Sequence, residues 1–561
     1  MILFQKKSKL PAWRIIYNKP AIRYRILHID LKGPKIPFEV FKKFLYTLAR
    51  WGINGILVEY EHRLPQLPLS AQFSKEDRYT LEEIKELTEL AKSLDIEWIP
   101  LIQTFGHVEY LSHLKGTENF FENPEFPNQL CPLRDEVKNY LKRLISYICE
   151  IHPYSTKINV GQDETHWLGY CSLCQKRMNK LGGKIELYLE HVQWVCSEVL
   201  NRGRIPMLWG DMLLGEGRLD LLQKIDKRVV IIPWEYGSTK KQMKYTIYKG
   251  FRAAKQQFRH PYNTEFPANP IVPFSKPGDF VEDLHTEDIE KIGGFDPDTG
   301  YPLNFAQLRV MKNSDKPLWG ACAIQMSGDG PFRAHLVRGF MNSNEMCKFL
   351  IENQGEGIIA TSWARGHSFA PINAPWTLSL YCIVQWAVSA WTGKTNPEDL
   401  RERASEIALE LDMPKMIGEW SLDDIFWTIS GNMASSGPYG KLLSLTHILE
   451  LLKNAQVSGL FGKGLIMSIE AEILQAKLQF IIEEGRWWFP TKDYGLKIIP
   501  LEMEKRFKEI QSNMKSLKPE WRRYFLKWIG EQSAFDLWWN GIFGMDFECA
   551  KKSITLLKKH L

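Results

Sequence analysis

The sequence predicts an α/β chain in which a (β/α)8 TIM barrel is followed by a mainly α-helical C-terminal domain. Three observations carry this prediction. Eight short, β-rich apolar runs alternate with longer segments of helical period between about Tyr24 and Trp391, most of those runs close on an ionisable or indole side chain, and the strand signal stops after about Trp391. At 561 residues the chain exceeds what one hydrophobic core usually supports, so a second, smaller unit is expected. The expected division is an N-terminal extension over 1–21, the barrel over 22–392 and the helical domain over 393–561.

In chain order the runs are RILHIDL, GILVEY, EWIPLIQ, KINVG, IPMLWG, VVIIPWEY, KPLWGACAI and GIIATSW. Between them lie amphipathic segments such as Val137, Tyr140, Leu141, Leu144, Ile145 and Ile148, whose spacing of three and four puts one apolar stripe against a sheet. Eight strands, each followed by a crossover, favour closure into a barrel over an open sheet. The main interruption is a long loop at about 251–300, where HPYNTEFPANPIVPFSKPGDF is dense in Pro and turn residues. Such a loop at the carboxyl end of a strand either shapes a binding site or is plain surface. The Trp-rich C-terminal part, with Trp487, Trp488, Trp528, Trp538 and Trp539, reads as packing against the barrel.

Composition excludes several classes. Hydrophobic residues at 44% and charged residues at 25% are ordinary globular values, and a net charge of +6 without long basic blocks does not imply nucleic acid. The start MILFQKKSKLPAWRIIYNKP lacks the apolar region and cleavage site of a secretory signal, and Leu378 to Trp391 is too short to span a bilayer. Nine scattered cysteines argue against a disulfide framework, so a cytoplasmic protein with no membrane partner is expected. Cys171 and Cys174 form a CxxC, but a zinc site needs about four ligands and no second CxxC or close Cys–His pair is present; packing thiols are the reading, with no metal and no cofactor.

Barrel enzymes place their chemistry at the carboxyl ends of strands. Here strand one ends at Asp30, strand two at Glu59 and Glu61, strand three runs into QTFGH with His107, and strand four ends in Asp163-Glu164. Strands five, six and eight end in Trp209, Trp234 and Trp363. Carboxylates for hydroxyl groups beside indoles for C–H faces suit a sugar ring. An Asp-Glu dipeptide alone is weak, since it more often marks an exposed acidic pair, and His107 alone reads equally as a structural histidine. The apolar run before Gly161 raises the odds that both carboxylates face the barrel mouth.

The blocks LHIDLKG, GINGILVEYEHRLP, IPLIQTFGHVEY, INVGQDETHWLG, PMLWGDM and PWEYG together resemble glycoside hydrolase family 20, and within it the hexosaminidase D branch. The resemblance implies a retaining exo-β-N-acetylhexosaminidase in which the substrate's own 2-acetamido group replaces an enzyme nucleophile. It implies Glu164 as general acid and base, and Asp163 as the group that orients the acetamide. Trp209, Trp234 and Trp363 would line the acetamide pocket, and His107 would serve the site. Arg25, Asp30 and Glu59 are carried over as substrate-binding residues, and Tyr236 stands in for a Tyr that KPLWGACAIQMSGDG lacks. Arg365 replaces the Glu that better-known members carry after strand eight, which leans towards tolerance of galactosaminides. Glu164, beside an ionised Asp and under apolar rings, is expected to resist ionisation. The implied partner is an amino-sugar glycoside or glycan, and a homodimer is compatible with the chain. A non-catalytic carbohydrate-binding protein and a barrel glycosidase acting on sugars without the acetamide, through Glu164 and Glu59, remain open alternatives at this point.

Overall fold

Why the apolar runs form a closed sheet is visible in β1 (Tyr24–Asp30), which alternates two faces. Leu27, Ile29 and Leu31 pack outward into the large core beneath the helices, whereas Ile26, His28 and Asp30 point into the barrel. In the computed structural model the other strands are β2 (Gly55–Glu59), β3 (Glu97–Leu101), β4 (Lys157–Asn159), β5 (Ile205–Trp209), β6 (Val230–Ile232), β7 (Trp319–Gln325) and β8 (Gly357–Ser362). Six fall inside the runs expected from the sequence, and β1 and β7 each extend one residue beyond theirs. The structure describes residues 19–65, 72, 74–214, 219–236, 303–326, 329–332, 334–368, 370–396, 404–418, 420–422, 425, 437–457, 459–488 and 499–560. The loop expected at about 251–300 lies outside these residues.

The strands pair in parallel in the order β6-β5-β4-β3-β2-β1-β8-β7. Closure comes just past β6. Trp234 bridges Ala321 of β7, the Ala321 N–H donates to Pro233 O (2.9 Å) and the Glu235 N–H donates to Ala321 O (3.2 Å). The barrel interior is packed rather than hollow: Ile26, Leu57, Ile99, Met207, Trp209 and Ile359 fill it, and Tyr24 stacks on Trp319 at 5.1 Å near the amino end. Helix Asp135–Ile151 buries all six positions whose spacing predicted its stripe.

After the barrel come helices Leu460–Trp488, Ile499–Trp528 and Gln532–His560, which share a core containing Trp521, Phe525, Phe535, Trp538 and Phe543. Trp538 and Trp539 belong mainly to that core, although the Trp538 N–H donates to Pro331 O (2.8 Å), and Trp528 touches both cores. The side chains of Trp487 and Trp488 lie outside the described residues. A strand pair of two residues each, Met416–Ile417 with Trp420–Ser421, stands in the region where no strand was expected; it is too short to carry a periodic signal. No helix among the described residues is long and apolar enough to cross a membrane.

Candidate active site

β3 and β4 end side by side, and the segments that leave them meet at the mouth. Gly106 lies so close to the second of these segments that a Cβ there would stand 2.4 Å from Asp163 O, which only glycine permits. The backbone is wound tightly: His107, Gly161, Gln162 and Glu164 all have positive φ, at 55°, 72°, 83° and 51°. Non-glycine residues in that region store strain that surrounding bonds must hold. Here the Gln162 amide donates to Thr104 Oγ (2.5 Å), Tyr188 OH donates to Gln162 O (2.8 Å), and the Glu164 N–H donates to Asp211 Oδ2 (3.1 Å).

The result brings His107, Asp163 and Glu164 together. His107 Nε2 lies 3.2 Å from Asp163 Oδ2 and 3.3 Å from Glu164 Oε2. Burial alone would lower the histidine pKa, but the two carboxylates reverse this and hold it well above the ordinary value. The same hydrogen bond to His107 outweighs burial at Glu164 and lowers that carboxyl. The expectation that Glu164 resists ionisation is therefore corrected: burial does push towards the neutral form, but the hydrogen bond to His107 outweighs it and favours the charged one.

Trp209, Trp234 and Trp363 converge on this mouth. Trp209 is fully buried at its base, with its ring centroid 6.0 Å from that of Trp363. Trp234 stacks on Tyr236 at 5.0 Å and donates its N–H to Asp211 Oδ1 (3.2 Å), and the Trp363 N–H donates to Tyr236 OH (3.1 Å).

On the β1–β2 side a different cluster forms. Lys32 Nζ lies 2.7 Å from Glu59 Oε1 and 3.3 Å from Asp30 Oδ1, with all three side chains essentially unexposed. Glu59 also takes the Gln103 amide (2.8 Å) and faces His28 Nε2 (3.2 Å). Burial would raise the Glu59 pKa, but Lys32 and His28 pull it below the usual carboxylate range. Asp30 accepts the N–H groups of Lys32 (2.8 Å) and Ala364 (2.9 Å), which ties β1 to the loop after β8. Arg365 Nε on that loop donates to Ala370 O (2.7 Å).

Arg25 is not brought to the mouth. It sits at the amino end of β1 and faces outward with Leu27 and Ile29, its guanidinium donating to Gly52 O (2.7 Å), Ile22 O (2.6 Å) and Arg23 O (2.8 Å) and lying over Trp391. A strand alternates faces every residue, so a position five before Asp30 lies on the opposite face. The sequence reading missed Asp211, which burial and Asp163 push up to about 7, and it noted Glu61 at the end of strand two without giving it a role; burial pushes that carboxyl up to about 8. Glu61 has a φ of 44° and accepts from Ser368 Oγ (3.1 Å), which also lies 3.5 Å from Glu109. The signal for Asp211 was present in PMLWGDM, two residues past the strand end.

Residues 59–262 match the family model "Glycosyl hydrolase family 20, catalytic domain", which spans His107, Asp163, Glu164, Trp209, Asp211, Trp234 and Tyr236. Over those residues the chain is similar to family 20 glycosyl hydrolase catalytic domains. It is also similar to two proteins named Hexosaminidase D. The one from Bos taurus is 32% identical over 223 residues, 38% of this chain and 63% of the relative. The one from Homo sapiens is 33% identical over 225 residues, 38% and 44% respectively. The matched part thus spans less than two thirds of the length of either relative. Among solved structures, the Flavobacterium johnsoniae chitobiase aligns with a TM-score of 0.48 at 13% identity, covering 87% of this chain and 75% of that one. The GH20 exo β-N-acetylglucosaminidase from Vibrio harveyi aligns at 0.41 and 17%, covering 70% and 58%. The barrel architecture stands on its own strand order.

Proposed function

We propose that the chain is a retaining exo-β-N-acetylhexosaminidase that removes terminal non-reducing β-linked GlcNAc or GalNAc by substrate-assisted catalysis. The observation that supports this best is the shared histidine: Asp163 and Glu164 project to one imidazole, 3.2 and 3.3 Å away, beside three indoles. In this reading the acetamide oxygen of the substrate attacks its own anomeric carbon while the glycosidic bond breaks. Glu164 gives its proton to the departing oxygen, and Asp163 accepts the N–H of the oxazolinium that forms. Water, deprotonated by Glu164, then opens that ring with retained configuration.

The proton has a source. Before substrate enters, His107 holds it between two carboxylates; a sugar filling the mouth displaces the water that stabilises ionised Glu164, and the proton crosses from Nε2 to the carboxylate. Tyr236 OH accepts from Trp363, which leaves its own proton for the acetamide carbonyl. Asp211 is a positioning residue: one oxygen fixes the strained Glu164 backbone and the other fixes the Trp234 indole. Asp30 and Glu59, buried on Lys32, hold the mouth's far wall, and this argues against Glu59 as a second working carboxylate. Glu61, Glu109, Ser368 and Arg365 line that wall as candidates for hydroxyl recognition, with the cation at 365 favouring tolerance of galactosaminides. The nine unpaired cysteines suit a reducing compartment, so the cytoplasm is the proposed location.

Turnover of aryl β-glycosides of GlcNAc, GalNAc, glucose and galactose tests the reading. Hydrolysis of the two acetamido sugars only is expected, and equal rates on glucosides or galactosides would reject acetamide participation.

A further inference from the structure

The CxxC that the sequence assigns to packing acquires two neighbours that only the fold supplies. Cys171 precedes and Cys174 lies in the first turn of helix Ser172–Leu181. Opposite them a small hairpin, pinned by the Phe121–Leu130 bridge and by the Glu122 N–H donating to Gln129 O (2.9 Å), presents Glu122 on one arm and Cys131 on the other. The Sγ of Cys131 stands 3.7 Å from that of Cys171 and 3.7 Å from that of Cys174. All four donor atoms lie within 4.8 Å of one another.

These distances decide between packing and ligation only together with the carboxylate. A tetrahedral ion with metal–sulfur bonds of about 2.3 Å needs sulfur–sulfur edges of roughly 3.8 Å, which is close to what the cluster has before any ion is added. Thiols in van der Waals contact would also approach that value. They would not call for Glu122. One of its oxygens is fixed by the N–H groups of Gly169 (2.9 Å) and Cys171 (3.0 Å), while the other, Oε2, is buried with no hydrogen bond. A buried carboxylate oxygen left unsatisfied among thiols costs free energy that a cation at the centre of the cluster would remove.

We infer that Glu122, Cys131, Cys171 and Cys174 form a four-coordinate site for one zinc ion. Three sulfur donors and one oxygen donor suit zinc, and four protein ligands leave no open position, so the ion is structural and not part of the sugar chemistry. Its position gives it work. Cys131 and Glu122 belong to the segment after β3 that carries His107, and Cys171 and Cys174 come just after the residues beyond β4 that include Asp163 and Glu164. The same two segments touch where the Trp167 N–H donates to Gln129 Oε1 (2.9 Å). The ion would fasten one to the other behind the site, holding the imidazole against both carboxylates.

The test uses the full chain, purified under reducing conditions from zinc-supplemented culture, with metal content read by plasma mass spectrometry. Roughly one zinc per chain is expected. Cys131→Ser and Cys174→Ser are each expected to lose it, while Cys322→Ser, buried in the barrel wall, retains it. If those variants fail to fold, the wild-type chain stripped with chelator and reloaded with cobalt(II) decides: sulfur-to-cobalt charge transfer with the intense visible bands of a tetrahedral thiolate site is expected, together with a lowered Tm on stripping. A cobalt spectrum without thiolate ligation, negligible zinc in the purified protein together with no cobalt(II) bound on reloading, or a disulfide joining Cys131 to Cys171 or Cys174 would each overturn the assignment. None of these readouts depends on turnover.

Discussion

Two carboxylate clusters share one barrel mouth and are built on opposite principles. On the β1–β2 side, Asp30 and Glu59 surround Lys32, are cut off from water, and have their oxygens taken by the lysine, backbone N–H groups, Gln103 and His28. On the β3–β4 side, Asp163 and Glu164 share one imidazole on a strained backbone, and Glu164 is nearly half exposed. The contrast teaches which carboxylates can react. Glu59, held below the usual carboxylate range by Lys32 and His28, has no reason to take up a proton, whereas a carboxylate that shares a histidine and meets solvent changes state as soon as its surroundings change.

The largest effect expected from breaking the comparison is chemical and falls on the second cluster. Glu164→Gln keeps the shape but removes the proton donor, so kcat on aryl N-acetyl-β-hexosaminides should fall by about 10³-fold, within the range typical of general acid catalysis. Substrate binding and Tm should change little, and steady-state kinetics beside thermal melts would check both.

The second effect is structural and falls on the first cluster. Lys32→Met leaves Asp30 and Glu59 buried without their cation and should destabilise the fold by roughly 3–5 kcal/mol, the usual cost of breaking one side of a buried pair. Denaturant unfolding would measure it. Were Lys32→Met neutral in stability, the two clusters would not differ in kind.

The mildest test changes only pH. Because the pKa of His107 is raised, the one-proton state of the His107, Asp163 and Glu164 group persists as pH rises past about 6.5, the ordinary histidine value, and is lost only above it. The alkaline limb of kcat/KM, which reports the free enzyme, should therefore lie above that value. A limb near the ordinary carboxylate range would mean that the imidazole does not hold the proton.

The features legible in the sequence are the local ones. All eight strands were legible because each is a short apolar run bounded by turn residues, and Asp163, Glu164, His107 and the three tryptophans were legible because they sit at the ends of those runs. Arg25 misled because a motif offset ignores the two-residue alternation that turns it away from the mouth. Lys32 drew no notice because lysine is ordinarily exposed, and its burial depends on two carboxylates from two strands. Cys131 and Glu122 were invisible beside the CxxC for the same reason: their approach to it is made by the fold and leaves no mark in spacing.

The central claim is that Asp163 and Glu164 serve an intramolecular attack by the substrate's acetamide, and a thiazoline analogue of the bicyclic intermediate measures it most directly. The account predicts binding to the wild-type chain at least about 10²-fold tighter than free GlcNAc, as expected of a stable mimic of a reaction intermediate, with most of that gain lost in Asp163→Asn. An analogue held no more tightly than the sugar itself, or equally well by both proteins, would contradict it.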